Sequence, residues 1–368
     1  MNHRERFLRT LNYKDVDRVP DYEFGCWSEA IDRWHREGLP QEKQSLRDIE
    51  LYLGLEGWDC RESVPIRSGL WPPLPQRIIK DEGNRQIVDD GMGGSFIRTV
   101  GTSSIPHYIR YPLQNKEDWE KLRPFFNPDT PGRFPLNWDQ IIESYEERDY
   151  PLGLGLDWEA FGSLYGVLRN LMGVQTISIA FYKDPAWIAE IMDTFVDLWI
   201  KLIQKGLRTL KVDFASWWED MCYVRGPLIS VRLFEEFMVP RYKKVVDALK
   251  EHGVEKNILD SDGDITLLVP GWLKAGINVM FPVEARCTDI YKLRETYGHR
   301  AAFMGGVNKL ALIQGGKAID EELERLTPML EGGGFIPMVD HRCPPEVSYS
   351  TYLYYLEKKR EWIRRNDF

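Results

Sequence analysis

A chain of 368 residues, 43% apolar and 12% aromatic, has enough apolar side chain to bury a large core, which excludes a disordered protein. With 48 basic against 57 acidic residues it carries a formal charge of −9, which argues against a nucleic-acid partner, since such partners select basic surfaces. Thirteen Trp, 17 Tyr and 16 Phe in an acidic chain suit a pocket for a flat or aromatic small molecule, oriented by a few carboxylates.

Five widely spaced cysteines (Cys26, Cys60, Cys222, Cys287, Cys343) form no C-x-x-C pair, so reduced thiols are expected rather than a disulfide framework. The opening residues have no apolar stretch of the signal-peptide kind, and no apolar run approaches the ~18 residues of a membrane span. A cytoplasmic protein without membrane contact is expected.

Asn2 caps a first helix with Phe7, Leu8 and Leu11 on one face. Arg18 to Phe24 reads as a strand, and Ser28 to Glu37 as a helix stopped by Gly38. A weaker strand falls near Trp58 to Pro65. Two arms of alternating apolar residues around Glu82-Gly83-Asn84 signal a hairpin, with a third arm at Ser95 to Thr102. Strand and helix then alternate to the end. The strands are Pro151 to Leu156, Lys211 to Trp217, Lys256 to Asp260, Ile277 to Pro282, Ala301 to Gly305 and Gly334 to Val339. Eight such units without a linker predict one (β/α)8 TIM barrel over residues 1–368, with right-handed crossovers and a small antiparallel excursion at 76–102. A doubly wound open sheet is the alternative. The excursion offers a surface to a second copy, giving a homodimer, or to a partner protein.

In such a barrel, chemistry collects at the C-terminal strand ends. Those ends read Tyr22-Glu23-Phe24, Asp157-Trp158-Glu159, Trp217-Trp218-Glu219-Asp220, Asp260-Ser-Asp262-Gly-Asp264, Glu284, Gly305-Gly306 and Asp340-His341-Arg342-Cys343, so nearly every one carries a carboxylate. Residues i and i+2 of a strand share a face, so Asp260 and Asp262 converge, to hold a cation or to share a proton; the plainer reading is an Asx turn over Gly263. Asp264 is expected to cap a helix at Ile265. His341 and Cys343 are ligand types for zinc, but an isolated H-x-C is equally an ordinary buried pair. No dinucleotide, Walker or G-x-S-x-G pattern occurs.

Arg4-Glu-Arg6-Phe … Asp17-Arg-Val-Pro20 resembles the N-terminal signature of the uroporphyrinogen decarboxylase superfamily. Leu164-Tyr-Gly-Val-Leu-Arg-Asn-Leu-Met-Gly173, Gly226-Pro-Leu-Ile-Ser230 through Phe237-Met-Val-Pro240, Asp262-Gly263, and His341 through Pro344-Pro345-Glu346-Val347 are similar to its later motifs. The resemblance implies a (β/α)8 barrel. It covers cofactor-free decarboxylases and zinc-dependent methyltransferases that work with a corrinoid protein. The decarboxylases' arginine-rich loop after the first strand reads Tyr22-Glu23-Phe24-Gly25-Cys26-Trp27 here, where Glu23 would repel a polycarboxylate porphyrinogen. The methyltransferases' zinc motif H-x-C reads Asp260-x-Asp262, a harder donor set that suits activation of an ether or phenolate leaving group.

The expected function is therefore methyl transfer from a small, methoxylated aromatic donor to a corrinoid protein, with cobalamin carried by that partner because no D-x-H-x-x-G pattern occurs here. Asp262, His341 and Glu219 are the expected catalytic groups. Asp260, Asp262, His341 and Cys343 are the expected zinc ligands, and Glu23, Asp157, Trp158, Tyr165, Trp218 and Glu284 the expected substrate-binding residues. The alternatives are a porphyrinogen-type decarboxylase, with Arg61 or Arg67 in place of the missing clamp, and a non-catalytic barrel that binds a ligand or a corrinoid protein.

Overall fold

The computed structural model describes residues 1–56, 62–100, 107–155 and 162–365. Its strands are β1 (Glu62–Ser63), β2 (Arg77–Asp81), β3 (Arg85–Asp89), β4 (Ser95–Thr99), β5 (His107–Arg110), β6 (Leu152–Leu154), β7 (Phe214–Trp218), β8 (Cys222–Tyr223), β9 (Gly226–Pro227), β10 (Lys256–Asp260), β11 (Val279–Val283), β12 (Ala302–Val307) and β13 (Phe335–Val339). Seven of them pair in the order β1-β6-β7-β10-β11-β12-β13, every pair parallel. Parallel neighbours need a crossover. The helices Tyr165–Lys183 and Pro185–Gly206 connect β6 to β7, Val239–Glu251 leads into β10, and Val269–Ala275 leads into β11.

These strands are apolar throughout because both sheet faces are covered. On one face Phe214, Ile258, Val279, Phe281, Ala302, Met304, Ile336 and Met338 form a buried layer, closed by Phe7, Leu11 and Tyr22. On the other face Trp217, Leu259, Met280 and Phe303 pack under the helices. The first helix, His3–Leu11, is capped as expected, the Asn2 side chain accepting from the Glu5 amide at 2.8 Å. Arg4 and Arg148 both bind the buried Asp213 carboxylate, which also accepts the Leu152 amide at 2.9 Å. This fastens the first helix near the N-terminal ends of β6 and β7.

One expected strand is different. Arg18 to Phe24 makes no ladder; it touches the last strand's continuation through one parallel bridge, Cys26 to Cys343, with the Cys343 and Trp27 amides bonded to the Gly25 and Cys343 carbonyls. Beside it, the Glu23 carboxylate takes the Val339 amide at 3.1 Å, a bond that a strand carbonyl would otherwise make. Glu23 is thereby committed to the wall: it also accepts from the Tyr355 hydroxyl at 2.8 Å and pairs with Lys359, which is fully buried. Lys359 bonds Asp21 at 2.9 Å and the Tyr22 carbonyl at 2.8 Å, and Arg360 reaches Asp21 at 2.7 Å. The terminal helix, Tyr349–Arg365, is thus joined to the first segment by buried charge.

The expected excursion is an antiparallel sheet, β2-β3-β4-β5. Its turn uses Gly83 at φ 82°, and the fourth arm, β5, extends beyond the three expected. The four described cysteines are free, and among the described residues no helix is long and apolar enough to cross a membrane.

Lys359→Met leaves the buried Glu23 carboxylate with no cation among the described residues and Asp21 with Arg360 alone. Loss of one partner from a buried ion pair costs about 3–5 kcal/mol, so urea denaturation should show destabilisation of that size. A loss under 1 kcal/mol would mean that packing, not charge, holds the terminal helix.

Candidate metal centre at the strand ends

Just beyond β10, β11 and β13 the chain brings together Asp262, Glu284 and His341, each offering a ligand atom within 4.8 Å of the others. Asp262 Oδ2 lies 3.5 Å from His341 Nε2. Donors about 2.1 Å from a shared ion at tetrahedral angles sit roughly 3.4 Å apart, so that pair already has ligand spacing. Two carboxylate oxygens and one imidazole nitrogen suit a divalent cation of intermediate hardness, zinc included. All three side chains are partly exposed. The donor set fits a metal, and no sulfur belongs to it.

Each ligand is placed by local backbone. Gly263, at φ 78°, turns the chain after Asp262 and donates its amide to Glu284 Oε2 at 3.2 Å. A Cβ there would lie 2.7 Å from the Tyr223 backbone, so this position admits only glycine. Glu284 also meets Lys309 Nζ at 3.3 Å and the Cys287 thiol at 3.4 Å. His341 lies 5.8 Å from the Phe24 ring and 5.5 Å from Trp27, and Phe24 packs edge-on against Phe281 at 4.6 Å. An aromatic wall therefore flanks the imidazole. Arg169 stacks 5.0 Å above Trp218 and bonds the Asp220 carboxylate at 2.6 Å. Asp220 feels the charges of Asp262 and His341; burial first, then Asp262, raises its pKa against the pull of Arg169.

Several expected site residues stand elsewhere. Asp260 ends β10, and its carbonyl takes the Glu219 and Asp220 amides at 2.9 and 3.2 Å; it is not in the group around His341. Asp262 lies two residues past the end of β10, beyond the ladder on which the period of two holds. Cys343 is fully buried in the bridge to Cys26, and burial pushes its thiol well above the ordinary range. The bend over 340–342 separates it from His341. Glu23 faces Lys359, so it has no bearing on a substrate's charge.

Glu219 is buried with its carboxylate turned to the Leu164, Tyr165 and Gly166 amides at 2.7, 2.7 and 3.3 Å, where it caps the helix that follows. Tyr165 is buried in the core cluster, its hydroxyl without a partner among the described residues. Asp157, Trp158 and Arg61 lie outside the described residues. Arg67 stacks on Trp71 at 5.3 Å, and Asp264 accepts from Thr266 N at 3.0 Å ahead of a helix that starts only at Val269. Glu284, expected to bind substrate, is the third ligand-type group. The sequence clue was present: a lone acid directly after an apolar strand.

Sequence pattern alone does not single out Asp340. It is 2% exposed, with the Lys309 and Ala285 amides each donating to one of its oxygens at 3.0 Å, and burial raises its pKa to about 6 against those bonds.

The family model described as uroporphyrinogen decarboxylase (URO-D) matches residues 94–362. A methyltransferase from Methanosarcina mazei superposes with a TM-score of 0.60 at 17% identity, covering 99% of each chain, and so shares the fold. A B12-independent methionine synthase from Shewanella sp. W3-18-1, in complex with selenomethionine, aligns with a TM-score of 0.44 at 12% identity, over 95% of this chain and 98% of that one.

Glu219 gives a pH signature. Burial pushes its pKa from 4.5 up to about 7, against the pull of the backbone amides. The folded chain therefore holds a proton that the unfolded chain releases near pH 4.5, and folding takes up that proton in between. Relative to Glu219→Gln, wild-type stability should fall as pH rises from about 4.5 to 7, by on the order of 3 kcal/mol, and stay level above. Urea titrations of both proteins across this range check it; a pH-independent difference would contradict it.

Proposed function

The chain belongs to the uroporphyrinogen decarboxylase family, and from that premise we propose that it is a methyltransferase, moving a methyl group from a small methoxylated donor to a corrinoid carried by a partner protein. The observation that carries this reading is the meeting of Asp262, Glu284 and His341 within 4.8 Å. We read the parallel sheet, with the extended segment ending at Cys26 along its last strand, as a (β/α)8 barrel with this group at its C-terminal mouth.

Methyl transfer from an ether leaves an oxygen anion, so the site must supply positive charge where that charge develops. Asp262, Glu284 and His341 would hold a divalent ion, zinc in this reading. Such an ion supplies Lewis acidity toward the departing oxygen. The corrinoid supplies the nucleophile that accepts the methyl group. The rest belongs to the chain itself. Phe24, Trp27 and Phe281 give an aromatic donor a flat surface beside His341. Trp218, under the Arg169 guanidinium, gives a second surface. Lys309 offsets the charge of Glu284, and the Gly263 amide fixes one of its oxygens.

Decarboxylation of a polycarboxylate tetrapyrrole is less well supported. Glu23 no longer argues against it, since its charge is neutralised by Lys359. What counts instead is that two carboxylates meet at the strand ends, and that the residues following Tyr22 supply no guanidinium fork.

Purified protein should contain one divalent ion per chain by elemental analysis. Transfer from a panel of methoxybenzenes to free cob(I)alamin, followed by absorbance, should fall by ~10²-fold or more in His341→Ala and Glu284→Gln. Undiminished transfer after complete metal removal, or turnover of uroporphyrinogen without metal or corrinoid, would overturn the reading.

A further inference from the structure

The three ligand-type residues come from separate strand ends, and the ladder does not hold two of them at a common height. Glu284 follows β11 and His341 follows β13, with β12 between them. The β11–β12 pairing loses register between Met280 and Val283, immediately before Glu284. Backbone pairing therefore leaves the offset between Glu284 and His341 loosely set. One side chain spans that gap. Asp340 Oδ2 accepts the amide of Ala285, the neighbour of Glu284, and Oδ1 accepts the amide of Lys309, whose Nζ meets Glu284. The Asp340 amide in turn bonds the Val307 carbonyl at 2.8 Å. Asp340 immediately precedes His341, so a single buried carboxylate ties the backbones that carry both groups.

We propose that Asp340 is a positioning residue of the metal centre, setting the separation of Glu284 from His341 without itself touching the ion; the inference rests on the metal-binding reading above. Groups that orient ligands from outside the coordination sphere typically alter metal affinity by 10–100-fold when removed.

The test is titration of the chelator-treated full chain with Co²⁺, read by calorimetry and by the ligand-field absorption of the bound ion. Asp340→Asn keeps the side chain's size but replaces one acceptor oxygen with a donor that opposes a backbone amide. It should weaken Co²⁺ binding by 10–100-fold and change the absorption band, the mark of altered coordination geometry. Asp340→Ser, small enough to accept one amide, should fall between and serves if the asparagine variant does not fold. Asp213→Asn, an equally buried carboxylate fastened to the first helix, should destabilise the fold and leave Co²⁺ affinity unchanged. A folded Asp340 variant with wild-type affinity and spectrum would overturn the role of Asp340 alone, as would an equal loss in Asp213→Asn. A wild-type chain that binds no Co²⁺ would instead overturn the metal reading on which the inference stands.

Discussion

Two partly exposed carboxylates with oxygens within 4.8 Å of each other repel, and positive charge beside them relieves that repulsion. Lys309 offsets part of that charge on the Glu284 side, and His341, 3.5 Å from Asp262, adds a group that binds either a proton or a metal. Each element around this group can be understood as a means of holding like charges together. Gly263 turns so that its amide meets Glu284, and β10, β11 and β13 end at points that bring their following residues to one place.

The other acids at the same end of the sheet are neutralised in different ways, which is why they do not compete for the same role. Glu219 is spent on the amides at a helix start, and Asp340 on the amides of Ala285 and Lys309. Glu23 is balanced by a buried lysine, and Asp220 by Arg169. A carboxylate whose oxygens all accept buried amides makes a good brace and a poor ligand, because removing it from those amides costs more than a metal bond to it returns. Among the described residues, Asp262, Glu284 and His341 are a partly exposed set whose ligand-type atoms lie within 4.8 Å of one another.

Much of this was legible in the sequence. Apolar strands alternating with helices placed the parallel sheet, and of the strand-end acids two, Asp262 and Glu284, meet His341. Asp262 and His341, expected in one site, lie 3.5 Å apart. The differences have distinct physical causes, the first being side-chain direction extrapolated past the end of a ladder. Asp260 was paired with Asp262 by a period of two whose ladder ends at Asp260, and Cys343 was grouped with His341 as a pair of zinc ligand types, whereas it lies buried in the bridge to Cys26. Glu23 was assigned to a pocket because Arg18 to Phe24 reads as a strand, whereas its backbone runs beside the sheet and its carboxylate takes the place of a ladder acceptor. Lys359, 336 residues away, could not be paired with Glu23 from local pattern at all. Glu284 and Asp340 were on the page as strand-end acids, but which one faces a ligand and which one braces it depends on burial, a tertiary quantity.

X-ray absorption of the metal-loaded chain tests the central claim most directly, because it identifies the atoms around the ion. The account predicts a shell of oxygen and nitrogen at ~2.0–2.2 Å with an imidazole signature, and no sulfur. A sulfur shell near ~2.3 Å would bring Cys343 or Cys287 into the site and contradict it.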